Sequence, residues 1–223
     1  MYCLHNPIKW TDPTGRIIQL SGTANEIWLM LSYLQSLTDH RLRVNAEGIV
    51  YIAYYATSDF QFAHGNALIS RLIASKHVVT IMLSTGTGEN FFAFDLTYAS
   101  TPGVGTGGTI FFDPTSREYT YSVLRSFSTR ERMPVNMVLA HELIHADRAT
   151  RGVIIPLDQT ENITIRVPRG TFNPARLRSP MRYVTRTVLL EEWATIGLGH
   201  NVAGDITENM IRREHSLPRR TIH

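Results

Sequence analysis

The stretch Pro134–Gly152, reading PVNMVLAHELIHADRATRG, constrains this chain more than any other. Proline suits the first turn of a helix, and glycine is the usual residue just past its end. Between them Val138, Leu139, Leu143 and Ile144 form an apolar set at helical spacing, so the segment predicts one helix from about Pro134 to Arg151. Set into it are His141, Glu142 and His145. Side chains four apart on a helix are neighbours, with Cβ atoms roughly 5–6 Å apart, so both imidazoles reach one cation while Glu142 lies beside that face. Such groups inside an apolar helix are costly without a partner, and a divalent ion is a partner of the right chemistry. A carboxylate placed this way takes the proton of a water that zinc has acidified from a pKa of about 15.7 towards 7, the role of the spacing HExxH in metal-dependent hydrolases. The bland alternative is a pair of surface histidines on an amphipathic helix.

A catalytic zinc takes three protein ligands and keeps one position open, so a third ligand is sought elsewhere. Leu189–His200, LLEEWATIGLGH, is the best place: a helical-looking segment with adjacent acids in apolar surroundings, 46 residues past His145 (191 − 145). One acid as ligand and the other as partner to a histidine accounts for both Glu191 and Glu192. An exposed carboxylate pair meeting Arg182 or Arg186 is the alternative. His200, Asp205 and His215 are further candidate ligands. Hydrolysis also needs a group to stabilise the developing oxyanion, and Tyr183, Arg186, His200 and Arg212 are the local choices. His200 is favoured because it follows a glycine-bearing turn close to Glu191. Asp205 and Glu208 match a capping box opening a last helix, a structural role.

The preceding part alternates helix and strand patterns, which predicts a mixed α+β lobe. An apolar stripe of Ile27, Met30, Leu31 and Leu34 marks a helix from about Ala24 to Leu37 with Thr23 as its cap. Ile49 to Tyr55, His77 to Leu83, Phe91 to Thr97 and Thr109 to Phe112 read as strands, with a helix near Phe62 to Ala74 that Gly65 and Asn66 weaken. Thr101–Gly108 is expected to be a flexible loop, its glycines too irregular for a phosphate fingerprint, and a candidate rim of a substrate cleft. The strand Thr109 to Phe112 is the candidate edge for an extended substrate. Pro156 to Pro180, with a short strand over Asn162–Val167, is expected to border the cleft.

Composition narrows the class. The 223 residues are 43% hydrophobic and 18% charged, enough for one sizeable core. The single cysteine, Cys3, excludes an internal disulfide and any cysteine-rich zinc site. A net charge of +3 does not call for nucleic acid, and the apolar run Ile49 to Ala56 is too short to cross a membrane. The basic tail, Arg212–Arg213 and Arg219–Arg220, reads as a solvated helix end or as a contact for an acidic substrate. The start MYCLHNPIKWTDP has no apolar signal core, so export is expected by another route.

Two resemblances add to this reading. HELIHADRATRG followed by EEWATIGLGH resembles the NleD-type effector peptidases of bacterial type III secretion and is similar to the clostridial neurotoxin light chains. The tail Ile206–Glu214 also resembles the effector family, and the likeness is specific over the last third of the chain. It implies a zincin-like fold, Glu191 as third zinc ligand, Glu192 as a supporting residue, and secretion into the cytoplasm of a eukaryotic host. It further implies a host protein substrate, with the activation loop of stress-activated MAP kinases leading. No stretch of this chain matches the arginine and tyrosine that the neurotoxins bring to the transition state. At the other end, Asn6–Arg16, NPIKWTDPTGR, resembles the segment that closes the core of RHS-type polymorphic toxins, with Trp10 in place of the usual Tyr and Arg16 in place of a common Leu.

The expectation is an α+β, zincin-like zinc endopeptidase, an effector or toxin. Residues 1–20 would form a leader and 21–223 one catalytic domain, with a mixed-sheet N-terminal lobe, the active-site helix and a helical C-terminal part. One zinc ion would sit on His141, His145 and Glu191, with Glu142 as general base. The partner would be a protein substrate, with no nucleic acid or membrane, and the chain would act as a monomer. Rival readings are a catalytically silent module binding a host protein, a toxin domain with another protein target, and a zinc hydrolase of small amides.

Overall fold

A computed structural model describes residues 17–57, 60–84, 90–115, 119–124, 127–168 and 181–222. The segment Asn6–Arg16 and Cys3 lie outside the described residues.

Strand β1 (Ile17–Ser21) runs into helix α1 (Ala24–Gln35), and the expected cap is present: the Glu26 amide donates to the Thr23 hydroxyl, and the Thr23 amide donates back to the Glu26 carboxylate. Then come β2 (Arg41–Val44), β3 (Ile49–Tyr54), α2 (Ala63–Ala74), β4 (Val78–Leu83), β5 (Asn90–Ala93), the single turn α3 (Leu96–Ala99) and β6 (Gly108–Phe112). After β7 (Tyr119–Leu124) and β8 (Phe127–Arg132) the chain enters α4 (Val135–Arg151). It ends with β9 (Thr160–Pro168), β10 (Met181–Leu189), α5 (Leu190–Ile196), α6 (Glu208–Glu214) and β11 (Arg220–Ile222).

Six strands form one mixed sheet in the order β2-β3-β1-β4-β6-β5. β1, β4 and β6 are parallel, while β2, β3 and β5 each run antiparallel to the neighbour they join. Side chains alternate across a strand. Ile18, Leu20, Val50, Val79, Ile81, Ile110 and Phe112 therefore share one face, all buried, and α1, α2 and α4 pack there in one continuous core. Among the described residues β9 and β10 pair only with each other, a long antiparallel ribbon, and β7, β8 and β11 make a third small sheet. No described helix is long and apolar enough to cross a membrane.

Four local expectations change in the structure. Gly65 and Asn66, which weaken the helical pattern of α2, are what fasten it. A Cβ on Gly65 would stand 1.7 Å from the Leu37 carbonyl oxygen, and the Asn66 Oδ1 accepts from the Thr38 hydroxyl at 2.6 Å and the Asp39 amide at 2.7 Å. The glycine-rich loop, expected as a cleft rim, lies against the C-terminal end of α4, with Thr106 N–H donating to the Ala149 carbonyl at 3.0 Å and Gly103 N–H to the Arg151 carbonyl at 3.2 Å. Gly105 permits this backbone-on-backbone contact, since a Cβ there would be 2.0 Å from the Thr150 carbonyl oxygen. The strand expected over Phe91 to Thr97 stops at Ala93, because Asp95 accepts from the Tyr98 amide and caps α3. Finally β6, expected at the edge, is interior; β4 takes one side and β5 the other, so β5 is the sheet edge beside α4.

Candidate metal centre

Helix α4 is enclosed on all sides: every residue from Met137 to Ala149 is buried. Its length and its end at Gly152, in the left-handed region at φ 73°, are as the sequence predicts. That burial removes the surface-histidine alternative, since His141 and His145 are both under 9% exposed, as is Glu142. The opposing wall comes from α5, which β10 feeds directly, and from α6. Gly197, at φ 88°, ends α5 and lets Thr207 come close, for a Cβ there would meet the Thr207 hydroxyl at 2.6 Å. The residue after Thr207 is Glu208, so this contact brings the start of α6 against the motif helix.

The two imidazoles face each other, Nε2 to Nε2 at 3.1 Å. Glu192 closes the group: one carboxylate oxygen lies 3.1 Å from His141 Nε2 and the other 3.2 Å from His145 Nε2. The outer nitrogens are held separately. His141 Nδ1 lies 3.0 Å from Glu208 Oε2, and His145 Nδ1 lies 3.2 Å from Glu191 Oε1 and 3.2 Å from the Thr195 hydroxyl. A carboxylate only accepts, so each Nδ1 carries a proton, and a ring that gives up its second proton has its Nε2 lone pair for an ion.

Guanidiniums hold both outer carboxylates. Arg148 donates to both oxygens of Glu191, from Nε at 2.8 Å and from one Nη at 3.1 Å. Arg220 donates to Glu208 at 2.6 Å and Arg212 at 3.3 Å. Glu191, Glu208, Arg148 and Arg212 are buried at 2% or less, where an unpaired charge would be costly.

These contacts set the proton affinities. Burial alone would lower the pKa of His141, yet Glu192 and Glu208 outweigh it and raise the ring to about 9. His145 is raised well above its ordinary value; burial opposes this, and Glu192, Glu191 and the nearby charge of Glu142 drive it. Burial would raise the pKa of Glu192, and the two imidazoles pull it far below the usual carboxylate range instead. Glu208 is likewise brought down to about 2, against burial, by His141 and its two arginines.

The donor set fits a zinc ion. Inward lone pairs and carboxylate oxygens, all within 4.8 Å of one another, repel unless a positive centre sits among them. In the metal-free protein that centre is a proton on the rings. Two imidazole nitrogens and a carboxylate are a zinc donor set, and ligand atoms about 2.0–2.1 Å from a tetrahedral ion stand about 3.3 Å apart, close to the spacing seen.

The sequence expects Glu191 on the ion with Glu192 supporting it, and it is Glu192 that lies against both Nε2 atoms. Glu192 faces both imidazoles, whereas Glu191 sits behind His145 among Arg148, the Ile155 amide and Thr195. Neighbours on a helix point about 100° apart, so only one of the pair can face the ion, and the packing of α5 on α4 selects the second. Glu208 is no capping residue; it supports His141, and Asp205 pairs with Arg148 and Arg151. Of the other candidates, none joins the metal group. His200 is exposed, 3.1 Å from Glu161 on β9, and His215 stacks on Phe62 with ring centres 4.5 Å apart. Tyr183 is 73% exposed and six residues back along β10 from Leu189, roughly 20 Å of strand. Arg186 is exposed on the same strand, and Arg212 is buried behind Glu208. The sequence offers no sign of the supporting roles of Arg148, Thr195 and Glu208, since nothing local marks a residue that supports a histidine 67 positions away, as Glu208 does.

The family model Peptidase_M91, described as an effector protein, matches residues 30–222. The chain belongs to this family. The family is one of effector peptidases, and the His–His–carboxylate donor set is of the kind that holds zinc. No curated protein matches in sequence. Among solved structures, the zinc-removed apo form of the botulinum neurotoxin type C light chain is 17% identical, with a TM-score of 0.35. The botulinum neurotoxin serotype C1 light chain protease is also 17% identical, with a TM-score of 0.33. Each match covers 76% of this chain and 40% of the light chain, a superposition too loose to assign any residue.

Proposed function

We propose that this chain is a zinc endopeptidase that cuts a protein of a eukaryotic host. His141, His145 and Glu192 hold the ion, and Glu142 is the general base. The observation that carries this reading is the convergence of His141 Nε2, His145 Nε2 and both Glu192 oxygens, with each outer ring nitrogen already committed to a carboxylate. When bound, zinc supplies Lewis acidity to the scissile carbonyl and to water.

The rest is the work of side chains. Glu191 and Glu208 fix both rings in the Nδ1–H form, which orients them without a reorganisation cost during reaction. Glu142, one residue after His141 and close enough for its charge to act on His145, accepts the proton of the attacking water and passes it to the leaving amine. Glu192 is the ligand on the more open side, its side chain 19% exposed against 2% for Glu191, so the substrate approaches past it. The edge strand β5, packed beside α4, pairs with the extended substrate by main-chain hydrogen bonds.

The effector family supplies the setting: secretion and action inside the host. The resemblance to NleD-type peptidases supplies the substrate, the activation loop of stress-activated MAP kinases. Mass spectrometry of such kinases incubated with the purified protein, its Glu142→Ala variant and a chelated control tests this. A cut that needs both metal and Glu142 supports the whole reading. Intact kinases beside stoichiometric zinc would discard the substrate and leave the site. Zinc content of Glu192→Ala and Glu191→Ala separates the two acids: the first is expected to lose stoichiometric zinc and the second to keep it with weaker affinity.

A further inference from the structure

The zinc site as read above has one support that joins three elements through a single residue. Arg148 is fully buried and lies one turn after His145 on α4. Its guanidinium forks onto both oxygens of Glu191 from α5, at 2.8 and 3.1 Å. A second arm reaches the Asp205 carboxylate in the segment before α6, and the Val153 carbonyl accepts at 2.9 Å. Glu191 in turn accepts from His145 Nδ1 at 3.2 Å and from the Ile155 amide at 2.8 Å. Asp205 is anchored independently by Arg151 at 2.6 Å and by the Val202 amide at 2.9 Å.

We propose that Arg148 is a positioning residue for the metal centre: by gripping both oxygens of Glu191 it fixes the acceptor for His145 Nδ1–H, and so presents the Nε2 lone pair of His145 to the ion. A planar fork with fixed donors can do this where a single ammonium cannot, because two points of attachment set the plane of the carboxylate as well as its position. Asp205 holds the fork itself in place from the side away from the metal. The inference rests on the zinc-peptidase reading and adds to it which residue orients the second histidine.

The test uses Arg148→Lys, which keeps the buried charge and gives up the fork, with Arg151→Lys as control. Arg151 belongs to the same ion network through Asp147 and Asp205 but does not reach Glu191. Zinc affinity is measured by chelator competition, and the tautomer of His145 by nitrogen-15 NMR of the zinc-loaded protein. Arg148→Lys is expected to weaken zinc binding about 10- to 100-fold, the usual range for a ligand's outer partner, and to shift the His145 Nδ1–H resonance. Arg151→Lys, which keeps a cation beside Asp205 and leaves the fork on Glu191, is expected to change both by less than Arg148→Lys does. The Glu191→Gln variant, alone and combined with Arg148→Lys, checks the route: if Arg148 acts through Glu191, the second change adds little to the first. Should Arg148→Lys not fold, Asp205→Asn loosens the same fork from its far side and is expected to shift the same resonance by less. Unchanged zinc affinity with an unchanged His145 signal in a folded Arg148→Lys, or in Asp205→Asn where that variant takes its place, would overturn the proposal while leaving the peptidase reading intact. A parent protein that binds no zinc would overturn both.

Discussion

Two supports stand behind the two histidines, and they are built differently. His145 is backed by Glu191, whose guanidinium partner Arg148 lies on the same helix as the histidine. His141 is backed by Glu208, which is gripped by Arg212 on its own helix α6 and by Arg220 at the start of β11. The first support is assembled within α4, α5 and the segment before α6. The second depends on the last residues of the chain, which return to cover the motif. The buried Glu208 carboxylate thus ties residues 208–222 to the motif helix, beside the packing of Ile211 and Leu217 into the core.

The comparison is broken most severely at Glu208. Replacing it by alanine removes the carboxylate that Arg212 and Arg220 share in the core, and breaking buried pairs in this way costs about 3–5 kcal/mol. Urea denaturation of the metal-free protein is expected to show a loss of that order. Glu191→Ala is expected to cost less, about 1–3 kcal/mol in the same assay, since Arg148 keeps Asp205 and the Val153 carbonyl. Equal losses would mean that the two supports are energetically alike and that the extra arginine of the second contributes nothing.

A pH series sharpens the same contrast from the side of the rings. His141 is raised from 6.5 to about 9, so its protonated form stabilises the folded, metal-free protein fully below pH 6.5, and that contribution is lost as pH rises through 9. Zinc takes the place of the proton, so the loaded protein escapes this loss. Melting temperatures of both forms between pH 6 and 9.5 are expected to diverge as pH rises, with the metal-free form falling. Parallel curves would place the bridging proton elsewhere than on the histidines. The smallest effect is expected at Thr195, whose hydroxyl lies 3.2 Å from His145 Nδ1 and 3.4 Å from Glu191. Thr195→Val removes one shared hydrogen bond and is expected to cost about 0.5–1.5 kcal/mol by thermal melting, with the zinc still bound.

How far the sequence reaches can be followed along these same residues. The motif helix α4 was legible in full because proline, apolar spacing and glycine are local signals, and because the i, i+4 geometry of His141 and His145 is a property of any helix. The Thr23 cap and the strands β3, β4 and β6 were legible for the same reason. The order of those strands was not, and so the edge beside α4 is β5 where adjacency in sequence pointed to β6.

The motif helix and the placement of His141, Glu142 and His145 along it are therefore written in the chain itself, in a run of nineteen residues from Pro134 to Gly152 (152 − 134 + 1). The third member of the metal group is not. Glu191 and Glu192 are chemically identical, and which of them meets the imidazoles is set by the rotation of a seven-residue helix against α4. That rotation is fixed by contacts from elsewhere: the arginine of α4 that captures Glu191, and the glycine that lets Thr207 close on the end of α5. Local pattern records how a segment folds; the pairing of buried charges across segments is settled only when the segments are packed.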